Sequence, residues 1–145
     1  MKRTATFFLL AGLAAAGCSA SSGSGEVGVA AAPAPPETAP IVSVWDGVYT
    51  ETQADQGEQL AVAVCFVCHV TQEWRGLARA WSGRPLGELY QLIRRTMPND
   101  DPGSLSREEY AAVVAYILKL NGAVAGPVPL PSDDEALGRV QIAPR

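Results

Sequence analysis

The sequence predicts an all-α fold, a small bundle of three main helices preceded by a long disordered tether. Three observations carry this reading. Apolar residues recur at helical spacing in three separate stretches between Thr50 and Asn121. No run alternates apolar and polar residues as a half-buried strand would. The bundle itself would hold only about 80 residues, which bury too little apolar surface to be secure unaided. Something besides side chains should therefore occupy its centre.

Residues 1–17 read as an export signal. Lys2 and Arg3 form a basic start, Phe7 to Leu13 an apolar stretch, and Ala14-Ala15-Ala16-Gly17 a run of small residues suited to a peptidase. The apolar stretch is too short to span a membrane. Cys18 comes next, then Ser19-Ala20-Ser21-Ser22-Gly23-Ser24-Gly25. This order of small residues, Cys and polar stretch resembles a bacterial lipoprotein cleavage site, in which Cys18 would carry the lipid. That family usually has Leu three residues before the Cys, where this chain has Ala15. The alternative is an ordinary signal that leaves Cys18 as an unpaired thiol in an oxidising compartment, where such a thiol is a liability. Lipid attachment is the preferred reading.

Residues 18–44 form the tether. Its Ser/Gly start and the later Ala31-Ala32-Pro33-Ala34-Pro35-Pro36 cannot bury a core. Its reach is roughly 30 Å if flexible and up to about 80 Å in polyproline form. Without the signal the chain keeps 9 basic and 15 acidic side chains, a net charge of −6. This balance argues against nucleic acid as a partner. Five arginines (Arg75, Arg79, Arg84, Arg94 and Arg95) cluster between Val70 and Pro98. A solvated helix face explains most such clusters; a docking patch is the sharper reading.

The folded part is expected over 45–126. The first helix starts near Thr50 or Thr52 and puts Ala54, Gly57, Leu60, Ala61 and Val64 on one face. The second runs from about Pro85, a residue favoured in a first turn, to Thr96, with Leu86, Leu89, Tyr90 and Ile93 as its apolar stripe. The third opens on the capping box Ser106-x-x-Glu109, carries Tyr110, Val113, Val114, Ile117 and Leu120, and closes at Asn121-Gly122. Residues 127–145 read as a loop-like extension with one turn of helix near Ser132-x-x-Glu135, loose or packed back through Val140 and Ile142.

Cys65-Phe66-Val67-Cys68-His69 is the C-x-x-C-H pattern of c-type haem attachment. Two thiols three residues apart at a helix end reach two vinyl groups of one haem and form thioethers. The adjacent His presents its imidazole to the iron. A thioredoxin-like pair would need a β-α-β context, whereas helix precedes Cys65. A zinc site would need further Cys or His ligands, and a structural disulfide across this spacing is strained. Haem attachment is the reading that uses all three residues.

His69 is the only histidine, so two-histidine ligation is impossible. With Met1 in the signal, Met97 is the remaining methionine, at the end of the second helix and before Pro98. The proline stops the helix and drives Met97 towards extended backbone, freeing its side chain to enter a pocket. A methionine is more often core filler; here ligand is preferred. His/Met ligation raises the haem potential relative to more basic ligand sets.

Further residues extend the pattern: Val44-Trp45-Asp46-Gly47-Val48-Tyr49-Thr50, Gly57-Glu58, Trp81-Ser82-Gly83-Arg84, Thr96-Met97-Pro98, Asp101 to Ser106, and Tyr110 to Tyr116. With these, Ser43 to Asn121 resembles the small monohaem class I cytochrome c domains of bacteria. It is similar to the periplasmic cytochromes that accompany quinohaemoprotein-type dehydrogenases. The resemblance implies one covalent haem c with its iron at the centre of a cytochrome c-like bundle, and a crossing of the first and last helices at Gly57 and Tyr116. It also implies that Trp81 and Arg84 lie near the haem propionates, although each could be ordinary core or surface. Two departures stand out. Val70 replaces the Gly that usually follows the haem His, and the short loop to Ala80 lacks the proline whose carbonyl accepts from the His ring.

The function expected is one-electron transfer in the periplasm, by a protein held to a membrane through Cys18. Its partners would be redox proteins, a dehydrogenase or a terminal oxidase, with no small-molecule substrate. The alternatives are a dedicated cytochrome subunit of a quinoprotein-type dehydrogenase and, further off, a haem-based ligand sensor. No catalytic constellation is visible: the acidic pairs Asp100-Asp101, Glu108-Glu109 and Asp133-Asp134 fall in turns or helix starts, where capping and solvation explain them.

Overall fold

The computed structural model describes residues 41–145; the expected signal, Cys18 and the tether as far as Pro40 lie outside them. The fold is all-α, and its three main helices are those expected. α1 (Glu51–Leu60) starts at Thr50, whose side chain accepts from the Gln53 backbone N–H, and continues into a π-turn over Ala61–Cys65. Two one-turn helices follow, α2 (Thr71–Trp74) and α3 (Leu77–Ala80). α4 (Leu86–Thr96) begins after Pro85, and α5 (Arg107–Leu120) begins at Ser106, where both halves of the capping box are made. A short α6 (Asp134–Gly138) completes the helices.

α1 and α5 are in backbone contact. A Cβ at Gly57 would stand 1.9 Å from the Ala112 carbonyl oxygen and 3.0 Å from Cβ of Tyr116, so only glycine lets the helices approach this closely. Lys119 of α5 reaches back to Glu51 and, at 2.8 Å, to Asp55 on α1. The sequence assigns α5 one apolar side, yet every residue from Tyr110 to Leu118 is buried. The helix is central, with neighbours all round, and its alanines fill the places where a polar face would otherwise sit.

Two regions differ from the sequence reading. The segment Val70 to Ala80, expected as a loop, holds α2 and α3, fixed from outside by one residue. Asn121 donates from Nδ2 to the Trp74 carbonyl at 2.8 Å and accepts at Oδ1 from the Ala78 N–H at 3.3 Å. The extension 127–145, read as loose or packed back, takes the packed option and goes further than Val140 and Ile142: Leu130 and Leu137 are buried with them in one cluster with Val44, Leu86 and Tyr90. Its one-turn helix is capped by Asp133, one residue later than expected. β1 (Val42–Ser43) and β2 (Val140–Gln141) pair in parallel, a contact no alternating pattern announces because each strand is two residues long. Gln53 clamps the extension by donating to the Leu130 carbonyl at 2.9 Å and accepting from its N–H at 2.7 Å.

Candidate functional site

The end of α1 delivers the C-x-x-C-H motif. The Phe66 N–H donates to Ala61 at 2.8 Å, a five-residue step that widens the last turn. The chain then folds under itself, with the Cys68 and His69 N–H groups both donating to the Cys65 carbonyl at 3.2 and 3.0 Å. Both thiols are unpaired. Burial pushes the Cys65 thiol above its ordinary pKa and keeps it protonated.

A second segment approaches from the end of α4. Met97 leaves the helix with φ −127° and ψ 148°, the extended backbone expected of a residue before proline. Its own N–H still donates to Ile93 at 2.8 Å, and its carbonyl accepts from the Tyr110 hydroxyl at 2.7 Å. Tyr110 thus ties the turn at Met97 to the central helix. In the sequence it reads only as part of an apolar stripe.

Between these segments lies a cavity of about 1100 Å³, slightly larger than the roughly 300–1,000 Å³ common for small-molecule and cofactor sites. Cys65, Cys68, His69, Met97 and Trp81 all line it; Leu89, Ile93 and Val113 supply much of the apolar wall. Arg84 is not among the lining residues. Its guanidinium stacks 3.8 Å from the centre of the Trp81 ring and donates to Glu88 at 2.8 Å. Leu92, also on the wall, is 47 % exposed, an apolar side chain that a bound apolar group would cover.

Trp74 of α2 is buried behind the motif. Its ring centre is 5.1 Å from that of Phe66, 6.3 Å from His69 and 6.3 Å from Tyr116. The His69 ring has one hydrogen-bond partner among the described residues: its Nδ1 is 3.0 Å from Oε2 of Glu73. Neither role of α2 is evident in the sequence, although the four-residue spacing of His69 and Glu73 is the available signal once a helical turn is recognised there.

The arrangement fits a haem. Two unpaired thiols and an imidazole leave one helix end, a thioether sulfur comes from another, and the space between is apolar and of cofactor size. No group of three or more His, Cys, Asp or Glu among the described residues is arranged to hold a bare metal ion. Residues 52–117 match the family model described as cytochrome C oxidase, cbb3-type, subunit III. No curated protein and no solved structure matches the chain. The matched segment is similar to a c-type cytochrome domain, and the cofactor is haem c, covalently bound with its iron. Such a domain transfers electrons, and its partners are redox proteins.

Proposed function

We propose that this protein is a monohaem one-electron carrier of the periplasm, with iron ligated by His69 and Met97 and the domain held to a membrane through a lipid on Cys18. The observation that carries the reading is a single cavity lined by Cys65, Cys68, His69 and Met97, although Met97 comes from a separate segment. Bound haem supplies the one-electron couple. Cys65 and Cys68 hold it by thioethers, His69 offers Nε2 while Nδ1 is occupied by Glu73, and Met97 offers its thioether from a turn braced by Tyr110. Ligation by both His69 and Met97 would leave the iron to exchange electrons and not to bind a substrate. The Met ligand raises the potential relative to two-histidine ligation, which suits donation to an oxidative chain.

The test is spectroscopic. The haem-loaded protein should be low-spin in both oxidation states, with a reversible one-electron couple. Met97→Ala should turn the reduced protein into a carbon monoxide binder. Tight carbon monoxide binding by the reduced wild type, unchanged in Met97→Ala, would sink the carrier reading in favour of a ligand sensor. Cys18→Ser should move the protein from the membrane fraction to the soluble periplasmic fraction.

A second reading differs only in the partner, and the family description favours it by naming an oxidase subunit. In that reading the chain serves one enzyme, a terminal oxidase or a quinoprotein-type dehydrogenase. Arg94 and Arg95, in the last turn of α4 beside Met97, would guide docking. Reversing both charges should slow electron transfer and flatten its salt dependence. Transfer that is independent of salt in the wild type would count against electrostatic docking.

A further inference from the structure

We propose that Glu73 is the positioning residue for His69: its carboxylate holds the Nδ1–H of the ring, sets the tautomer that turns Nε2 to the iron, and lowers the haem potential. The inference rests on His69 being the iron ligand. A histidine that binds iron through Nε2 must carry its proton on Nδ1, and that N–H needs an acceptor to fix the ring. The segment after His69 contains no proline to offer a carbonyl. It offers Oε2 of Glu73 at 3.0 Å, from a residue four positions on.

The backbone that carries the acceptor is itself held. The Glu73 N–H donates to the Val70 carbonyl at 3.0 Å as α2 begins. The next residue, Trp74, is buried against Phe66 and Tyr116, and its carbonyl is held by Asn121 at 2.8 Å. Glu73 is thus carried by a turn that the core anchors one residue away.

A carboxylate acceptor differs from a carbonyl in its charge. It draws the Nδ1 proton towards itself and leaves more electron density on Nε2, making the ring a stronger donor to iron. A stronger donor favours the oxidised state and opposes the rise in potential that Met97 brings. The His69 and Glu73 side chains are 34 % and 56 % exposed, so water moderates the effect without removing it.

The full haem-loaded chain tests this. Glu73→Gln keeps an acceptor oxygen of equal reach and removes the charge, whereas Glu73→Asp keeps the charge and withdraws it by one methylene. Film voltammetry of Glu73→Gln should show the reduction equilibrium shifted about tenfold towards the reduced form, or about 59 mV for a one-electron couple. With Met97→Ala added, the iron–histidine stretching frequency of the reduced protein should fall in both Glu73 variants. An unchanged frequency in both overturns the proposal. So does a midpoint shift in Glu73→Gln without any change of frequency, which is the mark of a distant charge and not of a hydrogen bond. If His69→Ala keeps the wild-type spectrum, the ligation reading itself has failed, and that outcome is distinct from either result at Glu73.

Discussion

Two apolar clusters share α5, and they are held in different ways. The larger joins Val44, Tyr49, Leu86, Tyr90, Val114, Leu118, Leu137 and Ile142, drawn from both ends of the described chain and from three helices. Side chains fill it. The smaller is Ala61, Trp74, Val113, Tyr116 and Ile117, with Cys65, Phe66 and Leu77 at its edge. It borders the cavity, and its aromatic rings meet edge-on or tilted around a site that needs a cofactor to complete it. One cluster is closed by its own side chains; the other borders the space that haem would fill.

Four measurements bear on how differently the two clusters are held. Removing residues 127–145 deletes Leu130, Leu137, Val140 and Ile142 from the large cluster. Since a single Leu or Ile truncated to Ala in a core costs about 2–5 kcal/mol, the shortened chain should lose cooperative urea unfolding even when loaded with haem. Retention of a wild-type transition would show that the extension is dispensable. Trp74→Ala should cost about 3–5 kcal/mol in the haem-loaded protein. It should cost far less in a cofactor-free Cys65→Ser/Cys68→Ser protein, where the small cluster is not held. Equal losses in the two forms would mean that the small cluster is complete without haem.

Asn121→Ala removes the bonds that tie Trp74 and Ala78 to the end of α5. Leaving these groups unpartnered should cost about 1–3 kcal/mol. Hydrogen exchange should rise in α2 and α3 while α4 stays protected. The smallest effect concerns pH. The Ser106 backbone N–H, and then its side chain, hold the Glu109 carboxyl below the usual carboxylate range. A carboxylate with a lowered native pKa contributes stability above its unfolded pKa and loses it as pH falls through the native one. Glu109→Gln should therefore flatten the fall in Tm between about pH 5 and pH 3. An unchanged acid slope would remove the capping box from that account.

What could be read in advance follows the same division. The capping box at Ser106, the stop at Met97-Pro98 and the Cys65 to His69 motif obey rules that act within a few residues, and their geometry follows from neighbours alone. The roles of Asn121, Tyr110 and Glu73 depend on what the fold brings beside them. Asn121 reads as a helix end and turns out also to be a clamp on α2 and α3. In the extension, Val140 and Ile142 are readable as residues that pack back, whereas Leu130 and Leu137 are too widely spaced, among Pro and Gly, to form a periodic face with them. Trp81 lies on the cavity wall, but no spacing rule distinguishes it from Arg84, which stacks on its ring.

The parallel pairing of β1 with β2 also sets an order of events. Val140 and Ile142, which complete the large cluster, lie far downstream of His69. A chain that emerges N-terminus first presents both thiols and the imidazole while that cluster still lacks its last pieces. Contacts so distant in sequence form late, because the intervening loop must close before they are made. The Cys65 to His69 motif is therefore complete in the chain before the final strand can close the large cluster.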